Sequence, residues 1–376
     1  MKFGDALIYD YRTTDPCCST IAINDKIYNS ATAEKVPISF RGGIGQLSVV
    51  QFNIERGYQL EKIIKLILEC NADIICLQEI DINCIRSHRV NCALEIAKRL
   101  KLKCICVVEF EELSEKGIHG NAILSKLDFE LESVIMHSEI FDWNNKGKFR
   151  GEARVGQRCT MACTFMINGN TVVVYSAHLE VFTGIMGRIT QISEIFEYAA
   201  NHDAHYQILC GDLNTLGHGI ARLSPNYCND QMRFKSIGYS ESEFFYDRVL
   251  KYNMVDGPLN EGLLGYGLSD SVVEAARNPG FIEVFDLNEI TLTSYGGAFQ
   301  GKLDWFLIKG FGVQKQFMKN NDFSASDHKL LYCTLVDGPY SDPNKNIEVK
   351  RKNSLLVTVF ALSTAAILLS WYIKRK

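Results

Sequence analysis

Six short polar motifs contain residue types that can bind a metal ion, hold a phosphate or move a proton. Their carboxylates and carboxamides supply the hard oxygen ligands that Mg²⁺ prefers, together with neutral donors for phosphate oxygens. Their histidines suit proton transfer near neutral pH. The residues are Asn53 in FNIE, Glu79 in LQE, His178 in AHLE, Asp212 and Asn214 in GDLN, Asp304 in LDWF, and Asp327 with His328 in SDH.

Each of these residues taken alone also has an ordinary structural explanation. Asn53 fits a helix cap or a turn, and Glu79 fits an exposed strand end. The spacing of Asp212 and Asn214 is that of a common turn. The motifs nevertheless share one property, because each lies where an apolar run begins or ends. Catalytic sites are built on loops at one end of a rigid sheet, so the pattern favours a single shared site.

The apolar runs predict alternating strands and helices, which indicate an α/β sandwich or a two-layer domain. A long segment at 215–290 mixes Gly, Pro, Asn and Tyr and predicts a functional insertion or a lid. Helices are expected from residue 60 onwards, over Val90–Leu100 and near 188–202. Strands are expected at 47–54, 73–80, 104–110, 121–126, 159–167, 171–179, 206–214, 302–310 and 329–336.

Several other residues have a mainly structural interpretation. Gly120 and Asn121 in KGIHGNAILSK predict a turn at a strand entry, with contact between Asn121 and substrate as the alternative. His119 beside them is expected to be exposed rather than catalytic. Arg188 and Gln191 lie one helical turn apart and predict a hydrogen-bonding pair. The aromatic residues of SESEFFYDRVL are expected to pack in a core, with contact to an apolar substrate as the alternative.

Composition narrows the classes of protein. The chain has 376 residues and a net charge of −4, which argues against a generic electrostatic grip on duplex DNA. A nuclease remains possible, because a local basic groove or bound metal ions could attract a nucleic acid.

The 13 cysteines form no CxxC pair and no zinc spacing, and several lie inside apolar runs. They are typical of a protein in a reducing compartment. Neither a GxxxxGK[ST] loop nor a GxSxG elbow is present.

The C-terminus carries a different signal. Residues 354–373 form a run of twenty residues without a charge, bracketed by basic clusters on both sides. This length matches a bilayer core, and Trp371 with Tyr372 suits a membrane interface. The segment predicts a tail anchor that leaves the folded body facing the cytosol. The endoplasmic reticulum and the mitochondrial outer membrane both fit.

In order and context, the six motifs resemble the endonuclease/exonuclease/phosphatase superfamily. That superfamily includes DNase-like enzymes, inositol polyphosphate 5-phosphatases and neutral sphingomyelinases. The resemblance covers about 47–336 and implies a four-layer α/β sandwich of two facing mixed sheets flanked by helices, with the site at their shared end. It separates four regions: a lead-in at 1–46, a catalytic domain at 47–336, a linker at 337–353 and the transmembrane anchor at 354–373.

The resemblance also implies residue roles. His178 stands where abasic-site endonucleases have Tyr, which favours the DNase-like and phospholipid or inositol phosphatase branches. The remaining roles are as follows: Glu79 as the main Mg²⁺ ligand, with Mn²⁺ as the alternative ion; Asn53 ordering the metal and its waters; Asp327 beside the metal shell; Asp212 orienting or deprotonating the attacking water; Asn214 holding a phosphate oxygen; His328 contacting the scissile phosphate or transferring a proton; and Asp304 orienting the His328 ring.

The leading hypothesis is therefore a Mg²⁺-dependent phosphoester hydrolase at a membrane surface. A tether raises the effective concentration of a membrane substrate, which favours a sphingomyelin-like or phosphoinositide lipid over nucleic acid. A membrane-tethered nuclease and a catalytically inactive membrane adaptor are the alternatives. The sequence leaves open the choice between monoester and diester substrates, and it shows no evident protein partner.

Overall fold

The computed structural model describes residues 5–13, 17–22, 27–28, 43–217, 239–251, 261–294, 297 and 299–348. Within these ranges the strands outnumber the helices. The strands are β1 (Asp5–Asp10), β2 (Cys17–Ala22), β3 (Ile27–Tyr28), β4 (Gln46–Asn53), β5 (Ile74–Ile82), β6 (Lys103–Glu112), β7 (Gly117–Ser125), β8 (Phe129–Met136), β9 (Arg154–Gly156), β10 (Cys159–Ile167), β11 (Asn170–His178), β12 (Tyr206–Asp212), β13 (Ile282–Glu283), β14 (Leu292–Ser294), β15 (Phe299–Gly301), β16 (Asp304–Lys309), β17 (Phe311–Lys319) and β18 (Leu330–Asp337).

Three longer helices form where apolar residues recur at helical spacing. Asn91 caps the N-terminus of the second of them, α2 (Cys92–Leu100), because its side chain accepts a hydrogen bond from the Leu94 amide. The residues that directly follow α1 (Leu60–Cys70) and α2 have the left-handed conformation. The helices are α1 (Leu60–Cys70), α2 (Cys92–Leu100), α3 (Trp143–Lys146), α4 (Ile185–Asn201), α5 (Glu241–Phe245), α6 (Glu261–Leu264) and α7 (Asp270–Ala275).

The strands form two mixed sheets. The first sheet has the order β17-β18-β4-β5-β7-β6-β1-β2, and β9 pairs with β6. The second sheet has the order β13-β16-β12-β11-β10-β8-β3. Parallel pairing joins β4 to β5 in the first sheet and β11 to β12 in the second, whereas the neighbours of these pairs are antiparallel. A small hairpin of β14 and β15 completes the described strands.

Three apolar clusters define four layers. One cluster lies between the sheets and contains residues such as Val49, Ile123 and Phe165. A second covers the outer face of the first sheet with α1 and α2, and a third covers the second sheet with α4, α5 and α7. The order of layers is therefore helix, sheet, sheet, helix, which confirms the expected α/β sandwich of two mixed sheets with flanking helices.

Most expected elements in 47–336 are present within a few residues, but some strands were not expected. β8 has Glu130 and Glu132 at alternate positions, and β17 has three consecutive exposed polar residues, Gln314, Lys315 and Gln316, which weakens the apolar signal of a strand. The described parts of 215–290 contain the short helices α5, α6 and α7, and Phe244, Phe245 and Tyr246 are buried against α4 as expected of core residues. No helix within the described ranges has the length and apolarity needed to cross a bilayer. The predicted anchor at 354–373 lies outside those ranges.

Along the inner face of each central strand, apolar core residues give way to polar residues. On β4, Val49 belongs to the core between the sheets, whereas Gln51 and Asn53 follow on the same face. On β12, Cys210 belongs to that core and Asp212 follows it. The same change occurs on β5, β7, β11 and β16. The polar residues consequently gather at one end of the space between the two sheets.

Candidate active site

Two β-bulges on either side of β7 turn acidic side chains into the site. On β5, Gln78 and Glu79 together oppose Asn121, and Glu79 has a φ of 57°. On β6, Glu109 is the extra residue opposite the bond between His119 and Gly120. A Cβ on Gly120 would lie 2.0 Å from the Val107 carbonyl oxygen, so only glycine fits between the bulged strands.

The expected turn at Gly120 and Asn121 is therefore wrong, because both residues lie inside β7. The expectation that His119 is exposed is also wrong. Its side chain is buried, and its Nδ1 lies 2.9 Å from Asp81 Oδ1. A glycine in the sequence predicts a turn, whereas Gly120 here allows close backbone approach between strands.

One carboxylate oxygen of Asp212 lies at the centre of the site. Asp212 Oδ2 accepts a hydrogen bond from Asn53 Nδ2 at 3.0 Å. The same oxygen lies 3.6 Å from Nε2 of His178 and 3.6 Å from Nε2 of His328. Asp212 and His178 end neighbouring parallel strands of the second sheet, whereas Asn53 ends a strand of the first sheet. The two sheets thus bring four of the predicted site residues to one point.

His328 is held by a buried aspartate, as the motifs implied. Its Nδ1 lies 2.8 Å from Asp304 Oδ2, and Gln51 donates to the other Asp304 oxygen at 2.8 Å. Burial by itself would lower the pKa of His328, but the carboxylates of Asp304 and Asp212 outweigh burial and hold this pKa well above its usual value. His328 therefore carries a positive charge at neutral pH, with Nε2 facing Asp212.

His178, in contrast to His328, is held in the neutral state. Burial, with the positive charge of Arg158 added to it, places the pKa of His178 well below its usual value. Arg158 Nη1 donates to His178 Nδ1 at 2.9 Å, so the ring is neutral and its proton lies on Nε2. That N–H faces Asp212 and also Glu79, whose Oε1 is 4.0 Å away. Arg158 in turn pairs with Glu109 at 3.1 Å.

Asn53 connects two of the acidic residues of the site, Asp212 and Glu79. Its Oδ1 accepts from the Glu55 amide at 3.1 Å, which leaves Nδ2 to face both Asp212 and Glu79. Ser326 donates to the Asn53 carbonyl oxygen at 2.7 Å and so ties the SDH loop to the end of β4. In this arrangement Asn53 positions the carboxylates through its amide nitrogen.

Asn214 and Asp327 lie at the edge of this centre. Asn214 has a φ of 53°, its amide donates to Asp212 Oδ1 at 2.8 Å, and its side chain donates to the Leu179 carbonyl oxygen at 3.0 Å. It thereby joins the ends of β11 and β12. Asp327 is partly exposed, and its Oδ1 is 3.8 Å from His328 Nε2. Burial, together with Glu79 and Asp304, raises the pKa of Asp327.

The charges at the centre favour binding of a cation. Burial raises the pKa of Asp212 to about 7, and the nearby carboxylates of Asp304 and Glu79 act in the same direction. Ligand atoms of Glu79, His178 and Asp212 lie within 4.8 Å of one another. Because the Nε2 of His178 carries its proton, the carboxylate oxygens are the available ligands. Oxygen donors of this kind fit Mg²⁺, which is bound by few carboxylates and keeps several waters.

A second group, formed by Glu109, His119 and His178, also has ligand atoms within 4.8 Å of one another. The Arg158 guanidinium already lies between two of its members, at 3.1 Å from Glu109 and 2.9 Å from His178. This cation neutralises Glu109 and occupies the lone pair of His178 Nδ1. The second group is therefore a poorer metal site than the group around Glu79 and Asp212.

Sequence reasoning missed the basic residues that hold this acidic site. Arg56 has a φ of 62° and lies 3.7 Å from Glu79 Oε2, and it also pairs with Glu152. Burial raises the pKa of Glu79, but Arg56 and the nearby histidines outweigh this effect and lower it. Arg56 lies three residues after Asn53, but no local pattern relates it to Glu79 or Glu152. Arg158 is similarly distant in sequence from Glu109.

Arg188 and Gln191 are structural, although they do not bond to each other in the manner expected. Arg188 donates to the carbonyl oxygens of Glu180, Val181 and Thr183, and it pairs with Glu241. Gln191 accepts from the Glu180 amide at 2.8 Å. Both residues brace the loop that follows His178.

Comparisons with known proteins identify the family of this chain. The chain matches the Endonuclease/Exonuclease/phosphatase family over residues 50–328. No curated protein sequence matches the chain. Among solved structures, ANGEL2, described as a 2',3'-cyclic phosphatase, has a TM-score of 0.50 at 14% identity, covering 80% of this chain and 99% of its own. The human Nocturnin catalytic domain has a TM-score of 0.44 at 17% identity, covering 78% and 94%. A family protein from Bacteroides thetaiotaomicron has a TM-score of 0.46 at 13% identity, covering 80% and 100%.

Proposed function

The chain belongs to the Endonuclease/Exonuclease/phosphatase family, whose members are hydrolases of phosphoester bonds. From this premise we propose that it is a Mg²⁺-dependent phosphoester hydrolase that acts on a phospholipid at a membrane surface. The observation that carries the hydrolase proposal is the convergence on Asp212 Oδ2 of Asn53, His178 and His328. A buried carboxylate that lies between a cationic and a neutral imidazole can orient a water molecule, while the imidazoles bind a phosphate.

The protonation state of each side chain determines its role in the proposed reaction. His328 is cationic and points its Nε2 into the site, so it binds a non-bridging phosphate oxygen or donates a proton. His178 is neutral and offers an Nε2–H that donates a hydrogen bond without adding charge. Asp212 orients the attacking water and accepts its proton. Asp304 keeps the His328 ring in place, and Asn214 holds the end of β12 that presents Asp212.

Glu79 and Asp212 are the residues that would hold Mg²⁺, with Asp327 beside them. The ion supplies Lewis-acid stabilisation of the charge that develops on phosphate oxygens. Asn53 fixes the spacing of the two carboxylates, because its amide nitrogen bonds to both. Asn121 lies across the bulge from Glu79 and is within this wall of the site, so we assign it a contact with substrate.

Two features support a lipid substrate. The sequence of residues 354–373 has the length and apolarity of a membrane-spanning helix, which would keep the enzyme at a membrane. Phe149 is 87% exposed and lies between the basic residues Lys148 and Arg150 in the sequence. Glu152, two residues beyond Arg150, pairs with Arg56, and Arg56 approaches Glu79. An aromatic side chain among cations suits the interface of an anionic membrane.

A substrate panel tests the proposed function. Full-length protein in detergent or liposomes would be assayed with Mg²⁺ against defined phospholipids, single-stranded DNA, duplex DNA, RNA and bis(p-nitrophenyl) phosphate. We expect turnover of the generic diester and preference for a phospholipid, both abolished in His328→Ala. Preference for a nucleic acid would overturn the lipid assignment. Absence of Mg²⁺-dependent turnover on every substrate, with the protein folded, would overturn the hydrolase assignment.

Phe149→Ala separates membrane contact from chemistry. We expect activity on anionic liposomes to fall by about tenfold, while activity on soluble bis(p-nitrophenyl) phosphate stays unchanged, because loss of one interfacial aromatic weakens membrane binding by an amount on the order of 1 kcal/mol. Met166→Ala is the matched control, since Met166 is 65% exposed at the end of β10 remote from the site. Equal liposome activity in both variants would remove Phe149 from the membrane contact.

A further inference from the structure

A second aspartate–histidine pair lies in the site and has no role in the scheme above. His119 Nδ1 is 2.9 Å from Asp81 Oδ1, much as His328 Nδ1 is 2.8 Å from Asp304 Oδ2. Asp81 is held by Arg86 through two hydrogen bonds of 2.7 and 2.8 Å. His119 is therefore oriented by a carboxylate that is itself fixed, and its Nε2 is the ring nitrogen left for a ligand.

The two pairs lie on opposite sides of Glu79. His328 precedes β18 and His119 lies on β7, with β4 and β5 between these strands. Three steps between neighbouring strands correspond to about 14 Å. A ligand atom of His119 lies within 4.8 Å of one of His178. His119 is thus part of the site wall beyond Glu79, on the side away from His328.

Asn121 lies on the same face of β7 as His119, two residues further along the strand. Its side-chain amide lacks hydrogen-bond partners within the described part of the chain. Its side chain is fully buried, and neither Nδ2 nor Oδ1 has a partner among the residues that the structure describes. An unpaired buried amide destabilises the folded protein, because it has lost its hydrogen bonds to water and gained none in return. A partner that both donates and accepts would satisfy Asn121, and a hydroxyl group does both. A bare phosphate oxygen accepts only, so it would leave the Asn121 carbonyl oxygen unpaired.

We propose that His119 and Asn121 form a subsite for a hydroxyl group that the substrate carries next to its phosphoester oxygen. Asp81 is the positioning residue of this subsite. The ligand class is a phosphoester of a polyol that keeps a free hydroxyl on the neighbouring carbon, as in glycerol 3-phosphate or an inositol ring, in preference to a phosphoester of a simple alcohol. This inference rests on the proposed function only in placing the phosphate at Glu79 and Asp212.

Binding of matched phosphate esters tests the subsite without turnover. Glycerol 3-phosphate and n-propyl phosphate have the same phosphate and the same carbon chain and differ in two hydroxyls. Calorimetric titration of the full chain would use Ca²⁺, a poorer Lewis acid than Mg²⁺. We expect wild type to bind glycerol 3-phosphate about tenfold more tightly, the difference made by one or two net hydrogen bonds. myo-Inositol 1-phosphate, in which both carbons next to the phosphoester carbon carry free hydroxyls, forms a third arm that distinguishes a cyclic polyol from a glycerol source.

Single-residue variants test which side chains cause the preference for glycerol 3-phosphate over n-propyl phosphate. His119→Gln and Asn121→Ala should each reduce the preference to less than about threefold, because they weaken binding of glycerol 3-phosphate more than binding of n-propyl phosphate. Asp81→Asn keeps an acceptor for His119 Nδ1 and should retain the preference, whereas Asp81→Ala should lose it. His137→Gln is the matched control, because His137 is a buried histidine paired with Glu194 outside the site. It should bind as wild type does.

Three results would overturn the subsite. They are failure of wild type to bind either ester, equal affinity of wild type for both esters, and an equal loss for both esters in His119→Gln. The second result would indicate that a buried water satisfies Asn121, and the third would place His119 on the phosphate itself. Asn121→Ser serves as a second variant if the spectrum of Asn121→Ala shows misfolding. A wild-type preference in a protein that hydrolyses nothing would overturn the proposed function and leave the subsite standing.

Discussion

The space between the two sheets has two ends that are built on the same strands and differ in chemistry. At the apolar end, Phe129 and Phe165 stack with their ring centroids 4.8 Å apart. At the polar end, Asp212 and Asn53 meet at 3.0 Å. A layer of hydrogen-bonded amides separates the two ends, in which Gln51 Nε2 donates to Gln78 Oε1 at 2.9 Å.

This difference assigns stability and function to different segments of one strand. The apolar end gains free energy from burial, whereas the polar end buries carboxylates at a cost that only a ligand or a partner offsets. Positive φ angles at Glu55, Arg56, Glu79 and Asn214 concentrate backbone strain at the polar end. Substitutions at the two ends should therefore separate activity from stability.

The largest effect is expected from Glu79→Gln at the polar end. Loss of this carboxylate should lower kcat/KM by about 10⁴-fold, which corresponds to about 5.5 kcal/mol of transition-state stabilisation. The free energy of unfolding without metal should change by no more than about 1 kcal/mol, since the burial cost of the charge is removed along with its contacts. Steady-state kinetics and urea unfolding measure the two quantities.

Glu194→Gln is the matched control for Glu79→Gln. Glu194 pairs with His137 and its side chain is 23% exposed, close to the 22% of Glu79. Wild-type kinetics are expected for the control. Mg²⁺ should raise the melting temperature of the control and of wild type but not that of Glu79→Gln. Full activity in Glu79→Gln would contradict the division between the two ends.

The reverse pattern is expected from Phe165→Ala at the apolar end. Removing a fully buried ring that stacks on Phe129 should destabilise the protein by about 3–5 kcal/mol. The value of kcat/KM for the folded fraction should stay within about twofold of wild type, because no site residue touches this ring. Phe165→Leu should lose less stability, since it leaves a smaller cavity. A Phe165→Ala protein with a large kinetic defect would show that the two ends are coupled.

Asp212→Asn tests the cost of buried charge at the polar end through pH. The pKa of Asp212 is raised to about 7 in the folded protein, from an unfolded value of 3.8. Between these values the folded state binds more protons than the unfolded state, so stability falls as pH rises towards 7. In EDTA at pH 8, Asp212→Asn should be more stable than wild type by about 2 kcal/mol, and at pH 4 the difference should vanish. Chemical unfolding at both pH values measures this difference, and equal stability at pH 8 would contradict the raised pKa.

The polar end was more predictable from the sequence than the contacts that support it. Asn53, His178 and Asp212 each follow an apolar run, which marks a strand end within a few residues of sequence. Arg158 and Arg56 carry no such mark. Their roles depend on Glu109 and Glu152, which the fold alone brings to them. Local patterns therefore located the site but did not predict the charge states of its histidines.

His119 shows what kind of signal was available and missed. His119, Asn121 and Ile123 alternate along one face of β7, and Ile123 belongs to the core between the sheets. This period of two is visible in GIHGNAILS. It was obscured because Gly120 was interpreted as a strand boundary, whereas the paired bulges that require glycine there involve two other strands. Non-local pairing decided the meaning of a local residue.

The smallest and most informative effect is expected in the amide layer between the two ends. Gln78→Leu removes the donor to Ser176 Oγ at 3.1 Å and the acceptor of Gln51, which keeps its bond to Asp304. We expect a loss of about 1 kcal/mol in stability. We also expect kcat/KM to fall by about three- to tenfold, because Asp304 orients His328 less firmly. Ile123→Val costs a similar amount of stability in the apolar layer and should leave kcat/KM unchanged. If both variants have the same kinetics, the amide layer belongs to the core alone, and the functional end begins at Asp304.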